Sequence, residues 1–264
     1  RVADRAVVKP YKLERRNTTI VHIDVDPAEI GKNLGTTVPL VGDVHVIFEN
    51  LLQYEIPGDY TAWNEELAEK KAAYVDRRHF NPDFVNPCRF VQTLSGKMND
   101  DAIYVADVGQ NQLWSADNYV MNHGRFLTTG GFGTMGYSIP AAIGVRAALP
   151  DTQIVAVCGD GSFQMSLMEL ATMRQWDLPI KFVIMRNGYL GLVREYQHHT
   201  YHDRYSGVSL DGSPDFEKIA EAYGLDYFYL EHNDEMEQRI DEFLACDHAA
   251  MMVCEVYSFD LVKE

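Results

Sequence analysis

The 264-residue chain is poor in basic charge and contains no cysteine pairs, no long apolar run, no internal repeat and no low-complexity tract. Its 23 Lys and Arg stand against 39 Asp and Glu, a formal net charge of −16. A surface of that sign repels phosphate backbones, and no local basic patch offsets it, so no nucleic-acid partner is expected. A small anionic ligand would need a metal ion or backbone N–H groups to hold it. The four cysteines, Cys88, Cys158, Cys246 and Cys254, form no CxxC pair, which suits thiols in a reducing compartment. No apolar stretch approaches the roughly 20 residues of a membrane-spanning helix, and no signal-peptide pattern opens the chain. The expected location is the cytoplasm, with no membrane partner. The chain starts at Arg1 and not at methionine, which raises the expectation that it begins inside a longer protein.

What is present is the composition of a globular protein, 46% hydrophobic and 23% charged. The length predicts one large domain or about one and a half. Residues 18–25 (TTIVHIDV) form a β-branched, nearly continuous apolar run, expected as a strand enclosed on both faces. A helical turn at 28–30, a helix at 44–54 and an exposed, charged helix at 62–77 should follow, with Pro57, Pro82 and Pro87 punctuating a linker-like region. From residue 90 apolar runs at 102–106, 153–158, 180–185 and 250–256 alternate with helical segments at 111–121, 137–149, 164–176, 215–223 and 233–245. That alternation predicts an α/β fold with a doubly wound parallel sheet, in which ligands sit beyond the carboxyl ends of the strands. The segment 125–129 reads as a poor core strand, and 188–214 has no clear periodicity.

The loops starting at Asp107, Cys158 and Arg186 are therefore the ones to inspect. In the first, Asp107 to Gln112 (DVGQNQ), a glycine permits close backbone approach and amides can bond phosphate oxygens, although an ordinary polar turn would look similar. The second, Gly159 to Ser162 (GDGS), lies between a strand and a helix, whose free N–H groups suit a phosphate. Asp160 there reads either as a helix cap or, beside a phosphate, as a ligand of a bridging divalent cation. Asn187 lies 26 intervening residues further on. A 13-residue helix and a six-residue strand each span roughly 20 Å, so the chain returns to the edge it left and sets Asn187 beside Asp160. Gly131, Gly133 and Gly136 satisfy GxGxxG, with an acidic residue about 20 positions on, so a nicotinamide dinucleotide site competes. The weak strand before it and the placing of Asp160 inside a second glycine turn count against that reading. His198 and His202 have the spacing of zinc ligands on one helix face, but with no nearby Glu base or Cys they read as solvated loop residues.

Gly159-Asp160-Gly161 followed by Asn187 resembles the Mg–thiamine diphosphate motif of thiamine-dependent enzymes. The runs 107–114 (DVGQNQLW), 130–142 (GGFGTMGYSIPAA) and 159–172 (GDGSFQMSLMELAT), with 22–33 (HIDVDPAEIGKN) and 41–43 (VGD) upstream, resemble the acetolactate synthase (acetohydroxyacid synthase) family nearly throughout the chain. The resemblance implies that residues 1–56 end a middle domain, 57–89 link, and 90–264 bind the cofactor. It implies Mg²⁺ held by Asp160, Asn187 and the Tyr189 carbonyl, and a diphosphate cradled by Gly109, Gln110, Asn111, Gly161 and Ser162. Met135 would support the bent cofactor, and Gly133 would offer its carbonyl to the aminopyrimidine. The implied reaction decarboxylates pyruvate and condenses the two-carbon unit with a second 2-keto acid, with a keto-acid decarboxylase, an oxidase or glyoxylate carboligase as sister activities and a non-catalytic binding module as the other class. Two departures stand out. Tyr196 replaces a tryptophan common in relatives, which leaves the preference between pyruvate and 2-ketobutyrate open. The 264 residues hold no segment resembling the family's pyrimidine-binding domain, source of its activating glutamate, and the FAD-carrying middle domain is expected to be represented only by its last part. The chain alone is therefore expected to be inactive and to depend on homo-oligomeric partners carrying the remainder.

Overall fold

Apolar runs bounded by turn residues become the strands of two separate parallel sheets in the computed structural model, which describes residues 19–33, 35, 38–55, 57–73 and 78–262. The chain divides into two units, residues 1–75 and 76–264.

In the smaller unit β1 (Val21–Asp24) pairs in parallel with β2 (Val38–Val41). Helix α1 (Val44–Leu51) is capped by Asp43, whose carboxylate accepts the N–H groups of His45 and Val46, and α2 (Thr61–Ala72) has no buried residue. The run at 18–25 is not enclosed on both faces as expected: Val21 is exposed and only His22 of β1 is buried. A two-stranded sheet supplies too little surface to cover it. Residues 1–18 of the expected middle-domain remnant, and 74–77 of the expected helix 62–77, lie outside the described residues.

The larger unit runs α3 (Pro87–Lys97), β3 (Ile103–Ala106), α4 (Gln110–Asn118), β4 (Arg125–Thr128), α5 (Ser138–Ala148), β5 (Ile154–Gly159), α6 (Asp160–Ser166), a 3₁₀ turn (Leu167–Glu169) and α7 (Leu170–Gln175). It continues through β6 (Lys181–Arg186), α8 (Gly191–Tyr201), α9 (Phe216–Tyr223), β7 (Asp226–Leu230), α10 (Met236–Ala245) and β8 (Ala250–Glu255). Its six strands lie in the order β4-β3-β5-β6-β8-β7 and every neighbouring pair is parallel. This is the expected α/β fold. Successive strand residues point to opposite faces, and both faces are apolar. Tyr104, Val155, Val157 and Val183 meet Phe90 and Leu94 of α3, Trp114 of α4 and Phe243 of α10. Val105, Ala156, Phe182 and Ile184 meet Ile139 of α5, Phe163 of α6, Leu170 of α7 and Phe216 of α9.

Four features differ from the sequence reading. The segment 125–129 is a strand after all, half-buried at the sheet edge, where Phe126 stacks on Tyr104 with ring centroids 5.5 Å apart. The opposite edge strand, β7, had no counterpart in the apolar pattern. Residues 78–89 pack on the larger unit rather than linking: Val85 is buried, its N–H donates to the Glu255 carbonyl, and Asn86 caps α3. Finally, 188–214 contains helix α8. Its buried residues are Gly191, Arg194 and Glu195, so its inward face is polar and carries no hydrophobic period. No helix among the described residues is long and apolar enough to cross a membrane.

Candidate functional site

Strand order reverses between β3 and β5: the chain leaving β3 runs to β4 on one side, and the chain leaving β5 runs to β6 on the other. Such a reversal leaves a crevice beyond the carboxyl ends of the strands. A cavity of about 360 Å³ opens there. It brings together Gly109, Gln110 and Asn111 after β3, Gly133 and Met135 from the glycine-rich segment, Asp160, Gly161 and Ser162 after β5, and Asn187, Tyr189 and Tyr196 after β6.

The loop after β3 turns on Gly109, whose φ of +148° lies where L side chains are strained, and a Cβ there would stand 2.7 Å from Asn111 Oδ1. With no side-chain cap at Gly109, the first N–H groups of α4 are left for a ligand or solvent. The Asn111 side chain faces inward, its Nδ2 donating to the Asp107 carbonyl at 2.9 Å and the Val157 carbonyl at 3.3 Å. Asp107 received no role from the sequence, yet its buried carboxylate accepts N–H groups from Val108 (2.8 Å), Gly136 (3.0 Å) and Ser138 (2.7 Å). It ties the glycine-rich segment to the end of β3. The available signal was its position, the first residue beyond a central strand and two before a glycine.

After β5, Asp160 is 1% exposed. Its Oδ1 accepts the Gly161 N–H at 3.0 Å and its Oδ2 accepts the Gly188 N–H at 2.8 Å, so the loops after β5 and β6 are directly joined. Burial pushes its pKa up to about 6, against the opposing pull of those N–H groups and the Arg186 charge. A carboxylate desolvated in this way has most to gain from a cation. The Ser162 hydroxyl donates to the Gly159 carbonyl at 3.2 Å and accepts its N–H at 3.1 Å, closing the turn. At Gly161 a Cβ would meet Leu190 at 3.0 Å and Leu210 at 3.2 Å, so glycine keeps this side of the cavity clear.

After β6, Asn187 Oδ1 accepts the Tyr189 N–H at 3.0 Å, and its Nδ2 donates to Gln110 Oε1 at 3.1 Å. Gly188, at φ +70°, makes the bend. Asp160, Asn187 and the Tyr189 main chain thus offer only oxygen ligands, and neither His nor Cys lines the cavity. Among the described residues no group of three or more His, Cys, Asp or Glu is placed to hold a metal ion. One carboxylate with amide and carbonyl oxygens, next to free N–H groups, is the donor set that Mg²⁺ takes when phosphates complete its shell. The residues fit a magnesium-bound phosphate ester.

Behind this layer lie groups the sequence reading missed. Gln110 Nε2 donates to Glu195 Oε2 at 2.8 Å and to the Asp260 carbonyl at 3.0 Å. Arg194 donates to the same carbonyl at 3.2 Å and lies 4.9 Å from the Phe259 ring centroid. Burial pushes the Asp260 carboxyl up to about 6. Tyr196 stands at the rim, its ring edge-on to Tyr201 at 5.8 Å. His198 and His199 are in the last turn of α8 and not in a loop, and His202 has already left the helix in a left-handed conformation.

Residues 107–256 match the family described as thiamine pyrophosphate enzyme, C-terminal TPP binding domain. The acetolactate synthase of Arthrospira platensis is 36% identical over 249 residues, covering 90% of this chain and 42% of its own length. A probable acetolactate synthase large subunit of Methanocaldococcus jannaschii is 38% identical over 253 residues, 92% of this chain and 42% of its own. The acetolactate synthase isozyme 3 large subunit of Escherichia coli K12 is 34% identical over 236 residues, 86% of this chain and 41% of its own. The chain thus spans about two fifths of the length of these relatives. The matched stretch takes in all three sheet-edge loops and the cavity they enclose, and by it the chain belongs to the thiamine pyrophosphate enzymes, as their C-terminal cofactor-binding domain.

Proposed function

We propose that the larger unit holds thiamine diphosphate through Mg²⁺ and serves an acetolactate synthase reaction, in which pyruvate is decarboxylated and its two-carbon unit joined to a second 2-keto acid. The observation that carries this reading is the meeting of the buried Asp160 carboxylate with Asn187 and the Tyr189 main chain on one cavity with the Gly109 and Gly161 turns. When bound, the cofactor supplies the electron sink for decarboxylation. The protein's part is to bind and orient. Asp160, Asn187 and the Tyr189 carbonyl would hold the cation, N–H groups of residues 109–111 and of Ser162 would receive diphosphate oxygens, and Gly161, whose N–H is taken by Asp160, would line the cradle without filling it. The Gln110 carboxamide is already engaged on both sides, so that residue would act through its backbone. Met135 and the Gly133 carbonyl would support the aromatic half of the cofactor, and Tyr196 would bound the pocket for the second keto acid.

Because the chain covers about two fifths of its relatives' length, we further propose that turnover needs the remainder of such a protein and a second copy to complete the site. Phe132, 92% exposed within the glycine-rich segment, supports this reading as an aromatic side chain that a second copy would cover. Calorimetric titration with thiamine diphosphate tests the binding reading: heat should appear only with Mg²⁺ present, and Asp160→Ala should abolish it. Equal affinity in that variant, or binding indifferent to the metal, overturns the assignment.

A further inference from the structure

We propose that Glu195 and the Asp260 carbonyl set the polarity of two carboxamides in series, Gln110 and Asn187, so that Asn187 turns its oxygen and not its nitrogen toward the cation. The inference rests on Asp160 and Asn187 being cation ligands, as read above, and it makes Glu195 a positioning residue.

A carboxamide is nearly symmetric in shape, but only one end of it can ligate a hard cation. Asn187 reversed in place would present two N–H donors where a ligand oxygen is needed. Something must choose between the two orientations, and the hydrogen bonds behind the site do so in order. A carboxylate and a backbone carbonyl offer acceptors only. Glu195 Oε2, 2.8 Å from the Gln110 amide nitrogen, and the Asp260 carbonyl, 3.0 Å from it, take one N–H each. Turned about, Gln110 would set its oxygen against two oxygens. Its Oε1 therefore faces the other way, 3.1 Å from Asn187 Nδ2. An oxygen at that point accepts only the NH₂ end of Asn187. Asn187 Oδ1 is left on the side of Tyr189, whose N–H it accepts at 3.0 Å.

The surroundings hold this order in place. Glu195, Gln110 and Asn187 are all buried, so little water is at hand to satisfy a reversed amide. The Val262 N–H donates to the same Glu195 oxygen at 3.0 Å, and Arg194 donates to the Asp260 carbonyl. His199, 4.0 Å away, faces the other oxygen of Glu195. Gly191 makes the contact between the amides sterically available: a Cβ there would stand 2.0 Å from Gln110 Oε1 and 2.7 Å from Asn187 Nδ2.

The test uses the 264-residue chain with Mn²⁺ as probe, its affinity read by electron paramagnetic resonance with thiamine diphosphate present. Glu195→Met keeps the length of the side chain and removes the acceptor, and Mn²⁺ affinity should fall about tenfold or more, the scale of outer-shell changes at metal sites. Glu195→Gln can set its own oxygen between the Gln110 and Val262 donors and should stay within about threefold of the parent. A residue that only stabilised the fold would lower the melting temperature in the Met variant and leave the Mn²⁺ affinity of the folded chain unchanged; that result overturns the proposal. Side-chain amide resonances of the metal-free parent decide the matter even if Glu195→Met does not fold. The Asn187 NH₂ protons should show contacts to the Gly191 α-protons, and contacts to the Tyr189 N–H in their place would refute the relay. A parent that binds no Mn²⁺, but shows the expected amide contacts, would instead refute the ligand reading and leave the carboxamide order standing.

Discussion

In the proposed function Asp160 answers to two opposed demands, folding and binding, and exchanging it for asparagine separates them. The carboxylate is 1% exposed, and burial raises its pKa from 3.8 to about 6. A group with a folded-state pKa above its unfolded value is held as the acid more tightly by the native chain. Its favourable contribution is present below about pH 4 and is lost as pH rises through 6. At about 1.4 kcal/mol per pH unit, keeping the charged form folded at pH 7.5 without a cation costs on the order of 3 kcal/mol. Asparagine carries no such pH dependence. It does lose one of the bonds from the Gly161 and Gly188 N–H groups, for about 1–3 kcal/mol at every pH. The expected result is that Asp160→Asn, measured by urea unfolding in a chelator, gains about 3 kcal/mol relative to the parent between pH 4 and pH 7.5. For a unit of this size that is roughly 6–12 °C in melting temperature. Asp260, also pushed up to about 6, titrates in both chains and cancels. Adding Mg²⁺ with thiamine diphosphate at pH 7.5 should reverse the ranking, since ligand linkage then stabilises the parent alone. A difference between the two chains that stays flat across this pH window refutes the reasoning.

Asp107→Ala strands the half-buried Gly136 and the buried Ser138 N–H groups, and the two unmade bonds should cost about 2–4 kcal/mol in urea unfolding. The same variant should weaken cofactor binding through the loosened Gly133 segment, and an unchanged affinity would show that the segment needs no anchor. Tyr196→Trp should raise the preference for 2-ketobutyrate over pyruvate in the assembled enzyme by about 1–3 kcal/mol in a competition assay, the usual worth of one methylene in a pocket. No change in that ratio would remove Tyr196 from the acceptor pocket.

Legibility in the sequence follows burial. Strands β3, β5, β6 and β8 are covered on both faces and so read as continuous apolar runs, placed to within a residue or two. The edge strands β4 and β7 are half-exposed, with Arg125 and Asp226 at their starts, and an apolar criterion passes over both. Helix α8 was hidden for the opposite reason. Its inward face is built from Gly191, Arg194 and Glu195, so the helical period is present in polar residues and absent from hydrophobic ones. The segment expected as one helix at 164–176 begins four residues earlier and breaks at the 3₁₀ turn Leu167–Glu169, for which no proline or glycine gives warning.

The front of the site was readable because it depends on local arithmetic. A turn that needs φ > 0 calls for glycine, and the rise per residue of one helix and one strand returns the chain beside its starting point. The back of the site depends on strand order, which spacing does not encode. Gln110 meets Asp260 across 150 positions only because β8 inserts between β6 and β7. Chain leaving β8 then emerges beside Asn187, where the Ser258 hydroxyl donates to the Asn187 carbonyl at 2.7 Å and the next residues reach Gln110 and Arg194. The order found presents the Asp260 carbonyl to the Gln110 carboxamide and the Ser258 hydroxyl to the Asn187 main chain. In the proposed function, the orientation of the amide ligand Asn187 is thus set by groups that carry no conspicuous motif.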